Sequence, residues 1–188
     1  MAIIFLQSER TPHHSLHAQA GSPLLNMCDI SSRSGSGVGI EGALRPSLVQ
    51  CHIHGCERHG IAVFGSIESP LDSINPLLID VPSSSSSAVV DYNQTTTSPI
   101  LQSCEIDGNK LDGVLARAGA DVRMASCLVH DNGEFGINLQ DAGGQLNDNV
   151  LSGNKKGDVA IRSAALDLQV KPEDLRAANS IKGKILLQ

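Results

Sequence analysis

The chain has 188 residues, a net charge of -6 at pH 7, 18 Gly, and only three Phe and one Tyr with no Trp. That length suits one domain with appendages, the acidic balance argues against nucleic acid as a partner, and no apolar run approaches the roughly 18 residues of a membrane span. A core so poor in aromatics must be assembled from Leu, Ile, Val, Ala and Cys, and a chain this rich in glycine is expected to turn often.

In chain order, residues 1–22, with His13, His14 and His17, fit no repeat register and read as an N-terminal tail. Its apolar start, Ala2-Ile3-Ile4-Phe5-Leu6, is too short for a signal-peptide core and lacks a basic lead-in. Five Cys is an odd number without a compact secreted-type spacing, so free thiols are expected. The expected setting is cytoplasmic, with the cytoskeleton and the cilium as candidate sites.

Residues 23–163 carry an internal repeat. The step from Cys28 to Cys51 is 23, and so is the step from Cys104 to Cys127; Asn149 takes the Cys place after a further step of 22. The step from Cys51 to Cys104 is 53, which is one period of 23 plus an insertion of 30. Three residues before each stand Leu25, Leu48, Leu101, Met124 and Leu146, and two after stand Ile30, Ile53, Ile106, Val129 and Leu151. Five after, the last three copies have Asn109, Asn132 and Asn154. Nine after come Gly37, Gly60, Gly113 and Gly136, with Asp158 in the fifth copy. Ten after come Val38, Ile61, Val114, Ile137 and Val159, and twelve after come Ile40, Val63, Ala116, Leu139 and Ile161.

Apolar residues two apart have the strand period, and Gly, Asn and Asp separate them. Several short strands per period and no helix describe one coil of a parallel β-helix. The expected fold is all-β: a single-stranded right-handed parallel β-helix of about five coils, 22–23 residues each, with a short C-terminal helix or cap. The Leu, Cys, Ile and Val columns point inward. The Asn column fits left-handed turn geometry with amides bonded from coil to coil, and the Gly column supplies the tight turn before the next strand.

Residues 67–97, with Pro70, Pro76, Pro82 and the run Ser83 to Ser87, read as a flexible loop extruded between the second and third coils. Residues 164–188 form a cap or tail, in which Pro172-Glu-Asp-Leu-Arg-Ala-Ala reads as a helix start.

These columns resemble the β-helix repeats of eukaryotic F-box and SHC-binding proteins and, more loosely, the pectate-lyase-like superfamily. The resemblance covers residues 23–163 without the insertion, and the Cys before x-Ile favours the eukaryotic branch. It implies protein recognition; with no recognisable F-box, a ubiquitin-ligase role is not carried over. The wider superfamily implies carbohydrate binding, or lyase and hydrolase chemistry, as the alternative.

That alternative needs acids clustered on an outward face. Beside the Val/Ile strand the outward positions are Gly39, Ala62, Leu115, Asn138 and Ala160, flanked by Glu41, Phe64, Arg117, Gln140 and Arg162, and they hold no acid cluster. Only Phe64 and Phe135 in the repeats offer a ring to a sugar. No catalytic residue, cofactor site or metal site is assigned, and an enzyme is not expected. One and three residues after the Cys column, stacking yields two polar rows: Asp29, His52 and Glu105, then His54, Asp107 and His130. Such alternation could hold a divalent metal or an acid/base pair, but a surface ladder of cross-strand pairs is the commoner outcome. In Cys51-His-Ile-His-Gly-Cys56-Glu-Arg-His59, Cys51 is inward and Cys56 sits in the Asn column, so structural roles outweigh a zinc site. The expected function is a non-enzymatic scaffold whose protein partner covers an open end or a flat face, with no nucleic acid and no membrane; carbohydrate is the second choice.

Overall fold

The computed structural model of the chain describes residues 14–18, 22–42, 44–65, 96–162 and 172–187. Strand β1 (His14–Ala18) comes first. Five three-strand coils follow: β2 (Leu24–Asn26), β3 (Asp29–Ile30) and β4 (Ser36–Glu41); β5 (Ser47–Val49), β6 (His52–His54) and β7 (Ile61–Phe64); β8 (Ile100–Gln102), β9 (Glu105–Asp107) and β10 (Val114–Arg117); β11 (Asp121–Ala125), β12 (Leu128–His130) and β13 (Phe135–Gln140); β14 (Gly143–Asn147), β15 (Val150–Ser152) and β16 (Gly157–Arg162). Helix α1 (Pro172–Ala178) and strands β17 (Ser180–Ile181) and β18 (Ile185–Leu187) complete the described chain.

Each strand pairs in parallel with its counterpart one coil away, giving three sheets in the orders β1-β4-β7-β10-β13-β16-β18, β2-β5-β8-β11-β14 and β3-β6-β9-β12-β15-β17. The winding is that of a right-handed β-helix. Register agrees with the columns: Leu25 pairs with Leu48, Ile53 with Ile106, Val38 with Ile61 and Ala116 with Leu139. These side chains fill the hollow of the coils; Leu48, Ile53, Ile61, Leu101, Ile106 and Leu151 are fully buried. An aliphatic column at each strand suits a spacing of about 4.8 Å, because like branched side chains pack on one another without a gap.

The cysteines lie in one file. The backbone amides of His52, Glu105, Leu128 and Val150 donate to the carbonyls of Cys28, Cys51, Cys104 and Cys127 in turn. The thiols of Cys51, Cys104 and Cys127 donate to the carbonyls of Leu25, Leu48 and Leu101 in the preceding coil. Asn149 continues the file, its Nδ2 donating to the Met124 carbonyl and its Oδ1 accepting from the Cys127 amide. Asn179 follows in the same manner, through the Leu146 carbonyl and the Asn149 amide. All five cysteines are unpaired.

Hydrogen bonding with Cys104, and then burial, pushes the Cys51 thiol well up; burial raises Cys56 to about 11. Cys127, whose charged form the Cys104 hydrogen bond favours, is 1% exposed, so lack of access protects it. Reactivity needs an accessible thiolate. Iodoacetamide applied to the native protein is therefore expected to label Cys28 slowly and the other four only after unfolding, as read by peptide mass spectrometry.

Four expectations need correction. The tail over residues 1–22 is interrupted by β1, which pairs in register with β4, His14 opposite Ser36 and Leu16 opposite Val38. The loop over residues 67–97 ends too late: residues 66–95 lie outside the described ones, but Thr97 is fully buried and its hydroxyl donates to the Phe64 carbonyl. Residues 164–188 hold the helix that begins at Pro172, but the chain then re-enters two sheets through β17 and β18.

The fourth correction concerns the corners. Asn109, Asn132 and Asn154 do not carry the left-handed backbone; their predecessors Gly108, Asp131 and Gly153 do, with φ of 60°, 54° and 70°. Gly37, Gly60, Gly113 and Gly136 do not have positive φ either. A Cβ on Gly113 would lie 2.7 Å from the Gly136 carbonyl oxygen and 2.8 Å from Asn132 Nδ2. Close approach of the next coil, and not a turn, requires glycine there. The bonded amides do form as expected, and they make the column a ladder: Asn109 Nδ2 donates to Asn132 Oδ1 at 2.9 Å, Asn132 Nδ2 to Asn154 Oδ1 at 3.0 Å, and Asn154 Nδ2 to Asp158 Oδ1 at 2.8 Å.

Candidate functional site

The outer face of the sheet containing β3, β6, β9 and β12 carries the two polar rows. Parallel pairing sets Asp29 beside His52 and His52 beside Glu105, then His54 beside Asp107 and Asp107 beside His130. Strands β6 and β9 are neighbours in the sheet although the whole insertion separates them in sequence. All six residues therefore share one patch.

The contacts run diagonally across the rungs, because side chains on a strand lean along its direction. His52 Nε2 meets Asp107 Oδ1 at 2.6 Å, and His54 Nε2 meets Asp29 Oδ1 at 2.9 Å. His52 Nδ1 lies 4.0 Å from Asp29 Oδ2. The rings of His52 and His54 stack with centroids 4.2 Å apart. One strand further on, His130 Nε2 meets Glu105 Oε1 at 3.2 Å and its Nδ1 meets Asp131 Oδ2 at 2.8 Å. Burial works to lower the His130 pKa, but hydrogen bonds to Asp131 and Glu105 outweigh it and hold the imidazole above its ordinary value. Asp131 was not among the expected residues; it follows His130 directly, at the left-handed corner.

Among the described residues, two groups of ligand atoms fall within 4.8 Å of one another: Asp29, His52 and His54, and His52, Glu105 and Asp107. The cysteines take no part in either. Cys51 and Cys56 face the core, fully or almost fully buried, and the amide of Cys56 donates to Asn109 Oδ1 at 3.0 Å in the turn column. His59 turns to another partner, its Nδ1 lying 3.3 Å from Asp112 Oδ2.

The sheet beside the Val/Ile strands differs from expectation. Ala62, Leu115, Asn138 and Ala160 alternate with the inward pair but are buried, at 1%, 3%, 7% and 5% exposure. Beside them Asp112, 2% exposed, accepts from the Phe135 amide at 3.0 Å and from Asn138 Nδ2 at 3.1 Å. A buried carboxylate supplied with donors in this way reads as structural. Sequence reading passed over Asp112 because it is polar inside a repeat position that is variable in the other coils.

The two ends of the rod are unlike. At the far end, α1 buries Leu175, and the guanidinium of Arg176 donates to the carbonyls of Ile181 and Gly183 at 2.7 and 2.8 Å. At the near end, β2 and β3 are the outermost described strands of their sheets. Their core-column residues Leu25, Cys28 and Ile30 are only partly buried, and Leu24 and Met27 are 64% and 72% exposed.

No helix among the described residues is long and apolar enough to cross a membrane. Residues 83–171 match the family model described as the right-handed β-helix region. No curated protein matches the chain, and no solved structure does.

Proposed function

We propose that this β-helix is a non-enzymatic scaffold that binds a partner protein by its near end, in a cytoplasmic setting that includes cytoskeletal or ciliary assemblies. The observation that carries the reading is the incompletely covered core at β2 and β3. Strands at a sheet edge offer unpaired amides and carbonyls, and an extended segment of a partner can add to such an edge while its side chains cover the apolar column. Leu24 and Met27 flank that column and supply the exposed apolar contact. The resemblance of the repeats to those of F-box and SHC-binding proteins supports protein recognition, and the free thiols support a reducing compartment.

The test places a photo-crosslinking residue at Leu24 or Met27 in the full chain, within cells of the native source. Expected is a crosslink to a second protein, reproduced with the purified partner and weakened roughly ten-fold or more by the exposed-site variants Leu24→Lys and Met27→Lys. Crosslinks confined to residues 1–13 of the same chain, or to a second copy of it, would overturn the reading. So would cleavage of a polysaccharide in a calcium-containing assay.

A further inference from the structure

Neither the core nor the docking end requires the polar patch on β3 and β6. The geometry points to a binding site for one divalent transition-metal ion of the zinc type, held by His52 Nδ1, His54 Nε2 and the Asp29 carboxylate. Each of these residues has a ligand atom within 4.8 Å of the others. In a tetrahedral zinc site neighbouring ligand atoms stand about 3.3 Å apart. The present separations, 2.9 Å from His54 Nε2 to Asp29 Oδ1 and 4.0 Å from His52 Nδ1 to Asp29 Oδ2, bracket that distance. Asp107 holds His52 in place, so the difference is closed by exposed Asp29 and by His54, whose ring must turn out of its present stack on His52 for the two lone pairs to converge on one ion.

Asp107 is the second observation. An ionised carboxylate only accepts hydrogen bonds. At 2.6 Å it therefore makes His52 Nε2 the protonated nitrogen, and the neutral ring keeps its lone pair on Nδ1, the side that faces Asp29. A carboxylate on the far nitrogen of a histidine ligand fixes the tautomer and raises the basicity of the ligating nitrogen. At His54 the ion takes the place of the proton that Nε2 donates to Asp29, and the ring carries its proton on Nδ1 instead. Asp29 and Asp107 together balance the charge of a divalent ion.

The donor set discriminates between ions. Two imidazoles and one carboxylate suit zinc, with water completing the shell, whereas calcium takes six to eight oxygens. The second group, His52, Glu105 and Asp107, shares His52, so among the described residues the patch holds one ion. Because Asp29 lies on β3 and both histidines on β6, the ion staples the outermost described turn of this sheet to its neighbour. Binding to the folded state alone then raises the unfolding temperature. This inference stands apart from the docking proposal, and either can fail without the other.

The full chain, with its cysteines kept reduced, is titrated with zinc chloride and with calcium chloride by calorimetry, alongside thermal unfolding. Expected is one zinc per chain and a raised Tm, with neither effect from calcium. Asp29→Asn and His54→Ala abolish binding; Asp107→Ala, which touches no metal, weakens it roughly 10- to 100-fold. His130→Ala and Cys28→Ser leave it unchanged, and the cobalt-substituted protein shows no thiolate charge-transfer band. Circular dichroism matching the parent confirms that each variant is folded. No saturable zinc binding, binding that survives loss of both His52 and His54, or binding lost in Cys28→Ser would each overturn the proposal.

Discussion

Asn132→Ala is expected to destabilise the protein by about 4 kcal/mol in urea unfolding, although the side chain touches no ligand and no solvent. Asn132 is fully buried. Its Oδ1 accepts from the backbone amide of Asn109 at 3.2 Å and from Asn109 Nδ2 at 2.9 Å, while its Nδ2 donates to the Ile106 carbonyl at 3.2 Å. Truncation strands two donors of Asn109 where water cannot reach them, and each orphaned group costs about 1–3 kcal/mol. Asn109→Ala is expected to cost about half as much, because the coil beside it has Cys56 in the ladder position. Only the Cys56 amide then loses its acceptor. Lys156→Ala, which breaks the exposed pair with Glu134, serves as the reference and should change stability by less than about 0.5 kcal/mol. Equal costs at Asn109 and Asn132, or a cost at Asn132 near that of Lys156, would remove the ladder as the main lateral tie between coils.

That ladder was legible as a column of Asn at a fixed offset, and so was the pairing of His54 with Asp107 across the insertion. Both follow from counting, because a β-helix converts a sequence period into a spatial neighbour. What counting does not supply is direction. The rows were readable, but His52 reaching Asp107 instead of its rung neighbour Glu105 depends on how each side chain leans, and the period says nothing of that.

A whole column was hidden for a different reason. Met27, Gln50, Ser103, Ser126 and Asp148 all stand one residue before the Cys file with φ between 52° and 54°. They share a conformation but not a residue type, since Met, Gln, Ser and Asp all occur there. The neighbouring coils and the strands on both sides impose the left-handed corner on whatever residue is there, at a cost of about 1–2 kcal/mol each. Residue type is therefore no guide. The late strands were missed because the period stretches: Asn149 and Asn179 stack directly but lie 30 residues apart, since α1 is accommodated between them. At the near end, β1 offers neither a Cys nor a Gly to mark its register.

Gly113→Ala separates the two meanings a repeated glycine can have, and its expected cost is about 3 kcal/mol or more. The backbone at Gly113 is not left-handed, so alanine meets no conformational penalty there. The penalty is contact. The added methyl would sit 2.7 Å from the Gly136 carbonyl oxygen, 2.8 Å from Asn132 Nδ2 and 2.9 Å from Val129 Cγ1. The carbonyl belongs to the next coil, and the amide of Gly113 is bonded to the Phe135 carbonyl of that coil at 2.9 Å. Relief would mean spreading the coils, which lengthens the backbone bonds on both sides and pulls on the Asn ladder. Gly55 is the reverse case: its φ is 59° and nothing lies within 4 Å of the position a Cβ would take. Gly55→Ala is then a purely conformational change, worth about 1 kcal/mol. Chemical denaturation of the two variants should therefore rank Gly113 well above Gly55. The opposite order would return the Gly column to the role of a turn and would mean that the coils can separate more easily than their hydrogen bonds imply.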